Sequence, residues 1–296
     1  MLKKLRVLFA IIFFGIITLL FLDFSGTLHT WFGWMAKVQF LPAVLALNVG
    51  FIAAVVLLTL LLGRVYCSAI CPLGVFQDIA ARIGKTGKKL PYTFSPAKSM
   101  LRYIVLAVFT VAAIFGVSAI VVLLDPYGAY GRIAHSLLLP VWQWGNNILA
   151  MFAERAESYA FHSTDVWMKS ILTLVVAVST FAVVAYLAWR NGRTYCNTIC
   201  PVGTVLGFLS KYSFFKIRID EQKCNKCRIC ERHCKASCIE SKEHKVDYSR
   251  CVSCMNCIDK CNRDAVGYSF AYPTFRRHAE LVSTSPGNEG IAGQAP

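Results

Sequence analysis

The sequence predicts an α-helical membrane bundle followed by a small α+β domain that is rich in cysteine. Of the 296 residues, 56% are hydrophobic and only 16% are charged, whereas about a quarter of the residues are charged in an ordinary soluble domain. Most of the apolar residues fall into four long runs, and nine of the 13 cysteines lie between positions 224 and 261. Long apolar runs cross membranes and clustered cysteines bind metals, so the two parts of the chain differ in chemistry.

Four stretches are long and apolar enough to cross a hydrocarbon layer of about 30 Å, which takes ~20 helical residues. They cover residues 5–22, 40–62, 103–124 and 170–189. A less apolar stretch, 134–152, is interpreted as a helix at the membrane interface, because tryptophans such as Trp142 and Trp144 favour that depth. The start of the chain is similar to a signal peptide, but it lacks a convincing cleavage site, so we expect an uncleaved first helix.

The distribution of charge predicts the sidedness of these spans. The formal net charge is +15, and 27 of the 31 Lys and Arg residues lie before the first run, between the second and third, or after the fourth. Such a bias places these segments in the cytoplasm. We therefore expect a multi-pass protein of the cell inner membrane with cytoplasmic N- and C-termini. Membrane topology accounts for the basicity, and no nucleic-acid motif accompanies it.

Two copies of the spacing Cys-x-x-Cys-x-x-Cys-x-x-x-Cys follow the last span. The first copy is Cys224, Cys227, Cys230 and Cys234, and the second is Cys251, Cys254, Cys257 and Cys261. Bacterial ferredoxins hold two [4Fe–4S] clusters with such runs, and the fourth cysteine of each run serves the other cluster. Crossed ligation assigns Cys224, Cys227, Cys230 and Cys261 to cluster 1, and Cys251, Cys254, Cys257 and Cys234 to cluster 2. Zinc, the competing ligand, usually takes two separated Cys-x-x-Cys pairs.

The predicted domains are a membrane domain over 1–215, a two-[4Fe–4S] ferredoxin-like α+β domain over 216–272 and a disordered tail over 273–296. A domain of ~55 residues cannot build a large core, so its clusters are expected to hold it together. Cys238 is left over and is expected to be a small buried residue near a cluster. The first run is surrounded by four basic residues, Lys226, Arg228, Arg232 and Lys235. These either raise the reduction potential of a cluster or are solvated charges.

The membrane part contains an internal repeat. Residues 63–74 and 192–203 share Gly-Arg-x-Tyr-Cys-x-x-x-Cys-Pro and are identical at eight of twelve positions. The first and third apolar runs both end in Leu-Asp-x-x-Gly. We therefore predict four transmembrane helices in two tandem helix-pair repeats, related by an axis along the membrane normal. Such an axis would bring the four motif cysteines, Cys67, Cys71, Cys196 and Cys200, toward one another.

The role of these four cysteines has three interpretations. Two thiols at i and i+4 share a helical face, so the four together could hold a further Fe–S cluster or a metal. They could also act as redox thiols in a thiol–disulfide relay, or simply pack a turn from which Pro72 and Pro201 start the next helices. A permanent disulfide is disfavoured because cytosolic cysteines stay reduced.

With four spans, two Gly-Arg-x-Tyr-Cys-x-x-x-Cys-Pro turns and the double cysteine run, residues 1–272 resemble the NapH-type ferredoxin family, which contains membrane quinol dehydrogenase components and polyferredoxins with two 4Fe-4S clusters. The resemblance implies cluster ligation by the eight ferredoxin-type cysteines. It also implies an electron-transfer or cofactor role for Cys67, Cys71, Cys196 and Cys200. Ferredoxin runs usually end in Cys-Pro, whereas Lys235 and Asn262 follow the fourth cysteines here.

The leading functional hypothesis is an electron-transfer subunit of a quinol-oxidising complex. It would pass electrons from the quinol pool to a partner ferredoxin, cytochrome or reductase subunit. The candidates for quinol oxidation near the outer face are His29, Trp31, His135, Asp125 and Tyr127, although an interfacial His or Trp is often only an anchor. The alternative is a membrane-anchored redox maturation or assembly factor for a metalloenzyme. A redox-sensing regulator is disfavoured, because the sequence has no recognisable sensor or effector domain.

Overall fold

The computed structural model describes residues 2–23, 26–37, 39–86, 92–155, 163–164 and 170–270. The predicted tail over 273–296 lies outside the described residues. What is described is mostly helical, with two small antiparallel sheets in the cysteine-rich part. The chain therefore has the predicted α-helical and α+β parts.

The first half of the helical part ends with the first Cys-Pro motif. Its elements are α1 (Leu2–Leu22), α2 (Thr27–Phe32), α3 (Trp34–Lys37), α4 (Phe40–Leu45), α5 (Val49–Leu62), a π-helical turn (Tyr66–Ile70) and α6 (Pro72–Thr86). The second half contains α7 (Ser99–Ile114), α8 (Ser118–Leu124), α9 (Pro126–Ile133), a second π-helical turn (Ala134–Leu138), α10 (Leu139–Arg155), α11 (Ile171–Asn191), α12 (Thr194–Thr198) and α13 (Pro201–Ser210).

Among the residues that the structure describes, two helices are long and apolar enough to cross a membrane. These are α1 and α11, with 21 residues each, or about 30 Å at 1.5 Å per residue. They coincide with the first and fourth predicted spans. The stretch predicted to lie at the membrane interface is helical from the second π-helical turn through α10, while its depth in a membrane stays a prediction.

The second and third predicted spans are not continuous helices, so the single helices expected over 40–62 and 103–124 are wrong. The first is divided between α4 and α5, where Leu47 has a φ of 52°, and the other between α7 and α8, where Gly116 has a φ of 71°. At each break an amide bonds back five residues, Asn48 to Ala43 at 2.9 Å and Val117 to Ala112 at 2.8 Å. This is the Schellman pattern, in which a left-handed residue ends a helix.

Corresponding helices of the two halves make corresponding contacts. Helix α6 follows the first Cys-Pro motif and packs on α1 and α11, while α13 follows the second motif and packs on α5 and α7. The contact of α6 with α11 is so close that a Cβ on Gly84 would meet the Trp189 ring at 1.8 Å. In each half, the helix that follows the cysteines therefore packs on a helix of the other half. The tandem repeat and its two-fold axis stay predictions that this packing favours.

The cysteine-rich part contains β1 (Phe215–Ile219), α14 (Ile229–Arg232), β2 (Ile239–Glu240), β3 (Lys245–Val246), α15 (Asn256–Asp259) and β4 (Val266–Phe270). Strand β1 pairs with β4, from Phe215 opposite Phe270 to Ile219 opposite Val266, and β2 pairs with β3. Its core contains few aliphatic side chains, and five of the ten buried core residues are cysteines. Cysteine ligation is therefore central to how this part holds together.

Candidate metal centres

The first predicted ligand set lines one cavity. Its volume is about 170 Å³, and Cys224, Cys227 and Cys230 share it with Cys261 of the other run. The structure thus brings together the three cysteines of one run and the fourth of the other. The cavity is several times the volume of a water molecule, about 30 Å³, and four thiols are the donor set of a [4Fe–4S] cluster. The residues present fit such a cluster.

Both cysteine runs have the same pattern of backbone conformation. The second and fourth residues after the first cysteine have positive φ in each run: Lys226 (56°) and Arg228 (62°), then Ser253 (49°) and Met255 (59°). Left-handed backbone is unfavourable for these residue types and persists only where the surrounding structure enforces it. Such backbone turns successive N–H groups toward a common centre, which favours a negatively charged group there.

The second predicted ligand set is more deeply placed. Cys234, Cys251, Cys254 and Cys257 are all buried, whereas Cys227 of the first set is exposed. The left-over Cys238 is 1% exposed, and its Sγ lies 3.5 Å from the Sγ of Cys234. Hydrogen bonding from Cys238 lowers the pKa of both Cys234 and Cys251, and the same interactions raise the pKa of Cys238 well above its ordinary value. These shifts favour the thiolate form at Cys234 and Cys251, which are predicted ligands, over Cys238.

The loops of the second set pack directly on the two Gly-Arg turns of the membrane part. The Lys235 carbonyl accepts a hydrogen bond from the Arg193 amide at 2.9 Å, and the Ser253 hydroxyl donates to the Leu62 carbonyl at 3.2 Å. Gly192 has a φ of 73°, and a Cβ added there would lie 2.3 Å from the Lys235 oxygen. The two turns therefore need glycine, both for their conformation and for this close approach.

An ion cluster around Asp78 joins four parts of the chain. Its carboxylate contacts Arg193 at 2.8 Å, Arg6 at 3.0 Å and Lys235 at 3.3 Å. Burial alone would raise the pKa of Asp78, but the charges of these partners overcome it and hold the pKa well below its ordinary value. The carboxylate therefore stays ionised and ties α1 and the second Gly-Arg turn to the cysteine-rich part.

Cys67, Cys71, Cys196 and Cys200 form a third group of thiols, named here the four-cysteine site. All four are buried, and each lies close enough to the other three for their charges to interact. The structure thus brings together the four cysteines that the repeat predicted to meet. Gln77 donates to the Cys196 sulfur at 3.1 Å, and the Gly203 amide donates to the Cys200 sulfur at 3.3 Å.

The two motif arginines cross between the halves of the molecule. Arg193 donates to the Cys67 carbonyl at 2.6 Å, and Arg64 donates to the Cys196 carbonyl at 3.3 Å. Both side chains are 0% exposed. Each Gly-Arg-x-Tyr-Cys sequence therefore supports the cysteine turn of the other half. Across the described ranges, no three His, Cys, Asp or Glu side chains converge closely enough to bind a single metal ion.

Comparison with known proteins gives the family. A family model described as a 4Fe–4S binding domain matches residues 43–91 and 171–220. The ferredoxin-type protein NapH of Haemophilus influenzae is 29% identical over 228 residues, which cover 73% of this chain and 66% of NapH. These matches support a NapH-type ferredoxin family for this chain.

Two other proteins are also similar to this chain. The putative electron transport protein YccM of Escherichia coli is 26% identical over 82% of this chain and 61% of YccM. The uncharacterized protein MJ0749 of Methanocaldococcus jannaschii is 39% identical over 75 residues, or 25% of this chain and 30% of its own length. The chain thus spans less than two thirds of both relatives. No solved structure matches it.

The five residues predicted to oxidise quinol lie in three different places in the fold: on α2, in the second π-helical turn and at the start of α9. Trp31 and His29 are exposed on α2, and His135 lies in the second π-helical turn. Asp125 caps α9, because its carboxylate accepts the amides of Tyr127 at 3.1 Å and Gly128 at 2.8 Å. The Asp125 carboxylate therefore has a structural role.

A groove that no sequence pattern predicted lies at the junction of the helical and cysteine-rich parts. The groove has a volume of about 960 Å³, and its walls come from α6, α11, α12, residues 92–98 and the cysteine-rich part. Aromatic Tyr186 and Trp189 line it together with basic Lys98 and Arg250 and with Ser237, which lies between Cys234 and Cys238. Only folding brings these segments together, so their spacing in the sequence carried no motif.

Proposed function

We propose that this chain is a membrane-anchored electron-transfer protein that passes electrons between the quinol pool and a partner reductase. Membership of an iron–sulfur electron-transport family supports the general role. The observation that carries the proposal is the packing of the second ligand set on the Gly-Arg turns, while Cys227 of the first set faces outward. In this arrangement the second ligand set would face the membrane side, and the first would be accessible to a docking partner.

The two predicted ligand sets would hold one cluster each, at different positions in the molecule. Cys251, Cys254, Cys257 and Cys234 would hold a cluster against the membrane part, and the first set would hold one near the surface. When bound, [4Fe–4S] clusters supply one-electron carriers. The buried positive charges of Arg64 and Arg102 near Cys251 would favour the reduced, more negative state. Both Arg64 and Arg102 donate to the Ser249 carbonyl, at 3.1 and 3.3 Å.

Membrane insertion is part of the proposal. We place α1 and α11 as full spans and the broken α4–α5 and α7–α8 pairs as the remaining two crossings, in the cell inner membrane. The bias of Lys and Arg supports cytoplasmic termini. On this topology the Gly-Arg turns and the groove lie at the cytoplasmic end of α11.

We place quinol at that groove rather than at the outer-face residues. Trp189 and Tyr186 follow an apolar span, and aromatic side chains at this depth suit an amphipathic ring. Lys98 and Arg250 supply hydrogen-bond donors for quinol oxygens. Ser237 puts this groove beside the buried Cys234 of the second set and the neighbouring Cys238, whereas Asp125 is committed to its helix cap.

The test is anaerobic reduction of the purified protein by a water-soluble naphthoquinol, followed by electron paramagnetic resonance. We expect reduced-cluster signals in the wild type and a several-fold higher quinol requirement in Trp189→Ala. The matched control is Trp144→Ala, another exposed tryptophan, outside the groove. Dithionite should reduce all three proteins. Clusters that respond to dithionite but never to quinol would reject quinol as donor, and stoichiometric binding of a client enzyme would then favour the assembly factor.

A further inference from the structure

We propose that the four-cysteine site binds a third iron–sulfur cluster, of the [4Fe–4S] class, shared between the two halves of the membrane part. This cluster would be additional to the two of the cysteine-rich domain. Each half supplies two thiols, Cys67 and Cys71 from one and Cys196 and Cys200 from the other. Neither half alone has the four donors that a cubane needs.

The first support is the set of groups that point at the sulfur atoms. Helices α6 and α13 begin directly after Cys71 and Cys200, with 15 and 10 residues. In each, the amide two residues past the proline hydrogen-bonds the preceding thiol, Gly74 to Cys71 and Gly203 to Cys200. Two helix N-termini therefore converge on the site, and their partial positive charge suits a negatively charged group there.

The second support is a buried cation that has no anion. Arg64 is 0% exposed, and its recorded hydrogen bonds go to neutral oxygens of Asn197, Ser249 and Cys196 and to the Cys67 sulfur at 3.8 Å. Within the described part of the chain, Arg64 Nε and Arg193 Nη2 are buried without a hydrogen-bond partner. A buried, unpaired guanidinium is strongly unfavourable. Thiolates that hold a cluster would supply the missing negative charge.

One difference between the halves, seven residues after the second motif cysteine, leaves Arg64 without a matching carboxylate. Asp78, seven residues after Cys71, pairs with Arg193 at 2.8 Å. The corresponding residue after Cys200 is Gly207, whose Cβ position lies 2.6 Å from Arg102. Where the first half has a carboxylate, the second half therefore places another buried guanidinium beside Arg64.

The charged side chains around the four-cysteine site also support a bound anionic cluster. Between the four-cysteine site and the second ligand set, six cationic side chains face two carboxylates in the part of the chain that the structure describes. The cations are Arg6, Arg64, Arg102, Arg193, Lys235 and Arg250, and the carboxylates are Asp78 and Asp247. An excess of buried positive charge requires anions nearby. Two thiolate-ligated clusters, one on each side of this layer, would provide them.

The class of cluster follows from the family comparison together with the donor set. The two segments that match the 4Fe–4S binding model, 43–91 and 171–220, contain all four cysteines and end before Cys224. The Ser249 carbonyl, which Arg64 and Arg102 share, lies two residues before Cys251. The site and the second set are therefore neighbours, and one electron can pass between their clusters. One cluster is then oxidised as the other is reduced, and no bond changes.

The experiment is a measurement of iron and acid-labile sulfide on the full chain, purified anaerobically. Three cubanes contain about 12 iron atoms per chain and two contain about 8. We expect about 12 in the wild type and about 8 in Cys71→Ser and Cys200→Ser. Thr198→Ala, in the same turn as Cys200, is the matched control and should keep about 12. The dithionite-reduced spectra of the two cysteine variants should lose one component and keep both signals of the cysteine-rich domain.

The wild type alone decides the outcome if the variants do not accumulate. About 8 iron atoms per fully loaded wild-type chain would overturn the proposal, as would a Cys67–Cys71 or Cys196–Cys200 disulfide found by mass spectrometry. This result is separable from the quinol test. A three-cluster protein that ignores quinol would retain the site and lose the proposed donor, and a two-cluster protein reduced by quinol would do the reverse.

Discussion

Individual thiols divide into ligands and supporting residues according to their surroundings. Crossed ligation was predicted from spacing, and the cavity lined by Cys224, Cys227, Cys230 and Cys261 has that composition. Spacing gave Cys238 no assigned role beyond burial, yet its sulfur lies 3.5 Å from that of Cys234. Its position depends on how the chain turns after Cys234, which no short-range pattern records.

The two neighbouring thiols can be separated by substitution. Cys234→Ala should lose about four iron atoms, because it removes a cluster ligand. Cys238→Ala should keep the wild-type iron content, because Cys238 is not one of the predicted ligands and only contacts Cys234 and Cys251, whose pKa values it lowers. Iron analysis of both variants checks this. The opposite pattern, with iron lost only from Cys238→Ala, would make Cys238 the ligand.

Among the secondary-structure elements, apolar runs were predicted well where helices are continuous and poorly where they break. α1 and α11 match their predicted spans, whereas the breaks at Leu47 and Gly116 were missed. Gly116 offered a weak signal, but Leu47 adopts a φ of 52° that its residue type rarely takes. Local residue preference therefore could not predict that turn. The Gly-Arg turns, by contrast, were recognised because they recur.

Glycine at the second Gly-Arg turn should be essential for seating the cysteine-rich part on the helices. Gly192→Ala adds left-handed strain of about 1–2 kcal/mol and also places its Cβ 2.3 Å from the Lys235 carbonyl. Gly116→Ala is the matched control, because φ is 71° there but nothing lies within 4 Å. We expect Gly192→Ala to have the lower unfolding temperature.

Limited trypsin digestion supplies a second measurement of the same seating. In Gly192→Ala we expect faster cleavage between α13 and β1, where Lys211 and Lys216 flank the connection. Equal cleavage in the two glycine variants would show that the close approach to Lys235 contributes nothing.

At the scale of the whole molecule, buried charge joins the membrane part to the cysteine-rich part. Asp78→Asn should destabilise the folded chain by about 3–5 kcal/mol, since it leaves the buried Arg193 without its partner. In the wild type, the pKa of the Asp78 carboxyl lies below its ordinary value of 3.8. This stabilisation is therefore present above that pH and is lost as the pH falls toward the folded pKa.

The control is an exposed ion pair that also joins α1 to the cysteine-rich part. Lys3 and Asp259 lie 2.6 Å apart, with side chains 28% and 44% exposed, and such pairs contribute little. Thermal unfolding in detergent should therefore separate Asp78→Asn from Asp259→Asn. Equal unfolding temperatures would contradict a structural role for the Asp78 cluster.

By itself, the sequence determined the mostly helical part and the cysteine-rich part, and it predicted the two ligand runs and the approach of the two Cys-Pro turns to each other. Each of these depends on composition or on short spacings between residues, which are local properties of the sequence. Only the tertiary structure decided that Arg64 and Arg193 cross between the halves, that Cys238 touches Cys234, and that a groove opens beside Trp189. Those relations join residues more than a hundred positions apart, or depend on the direction of a turn, and packing of the whole chain fixes them.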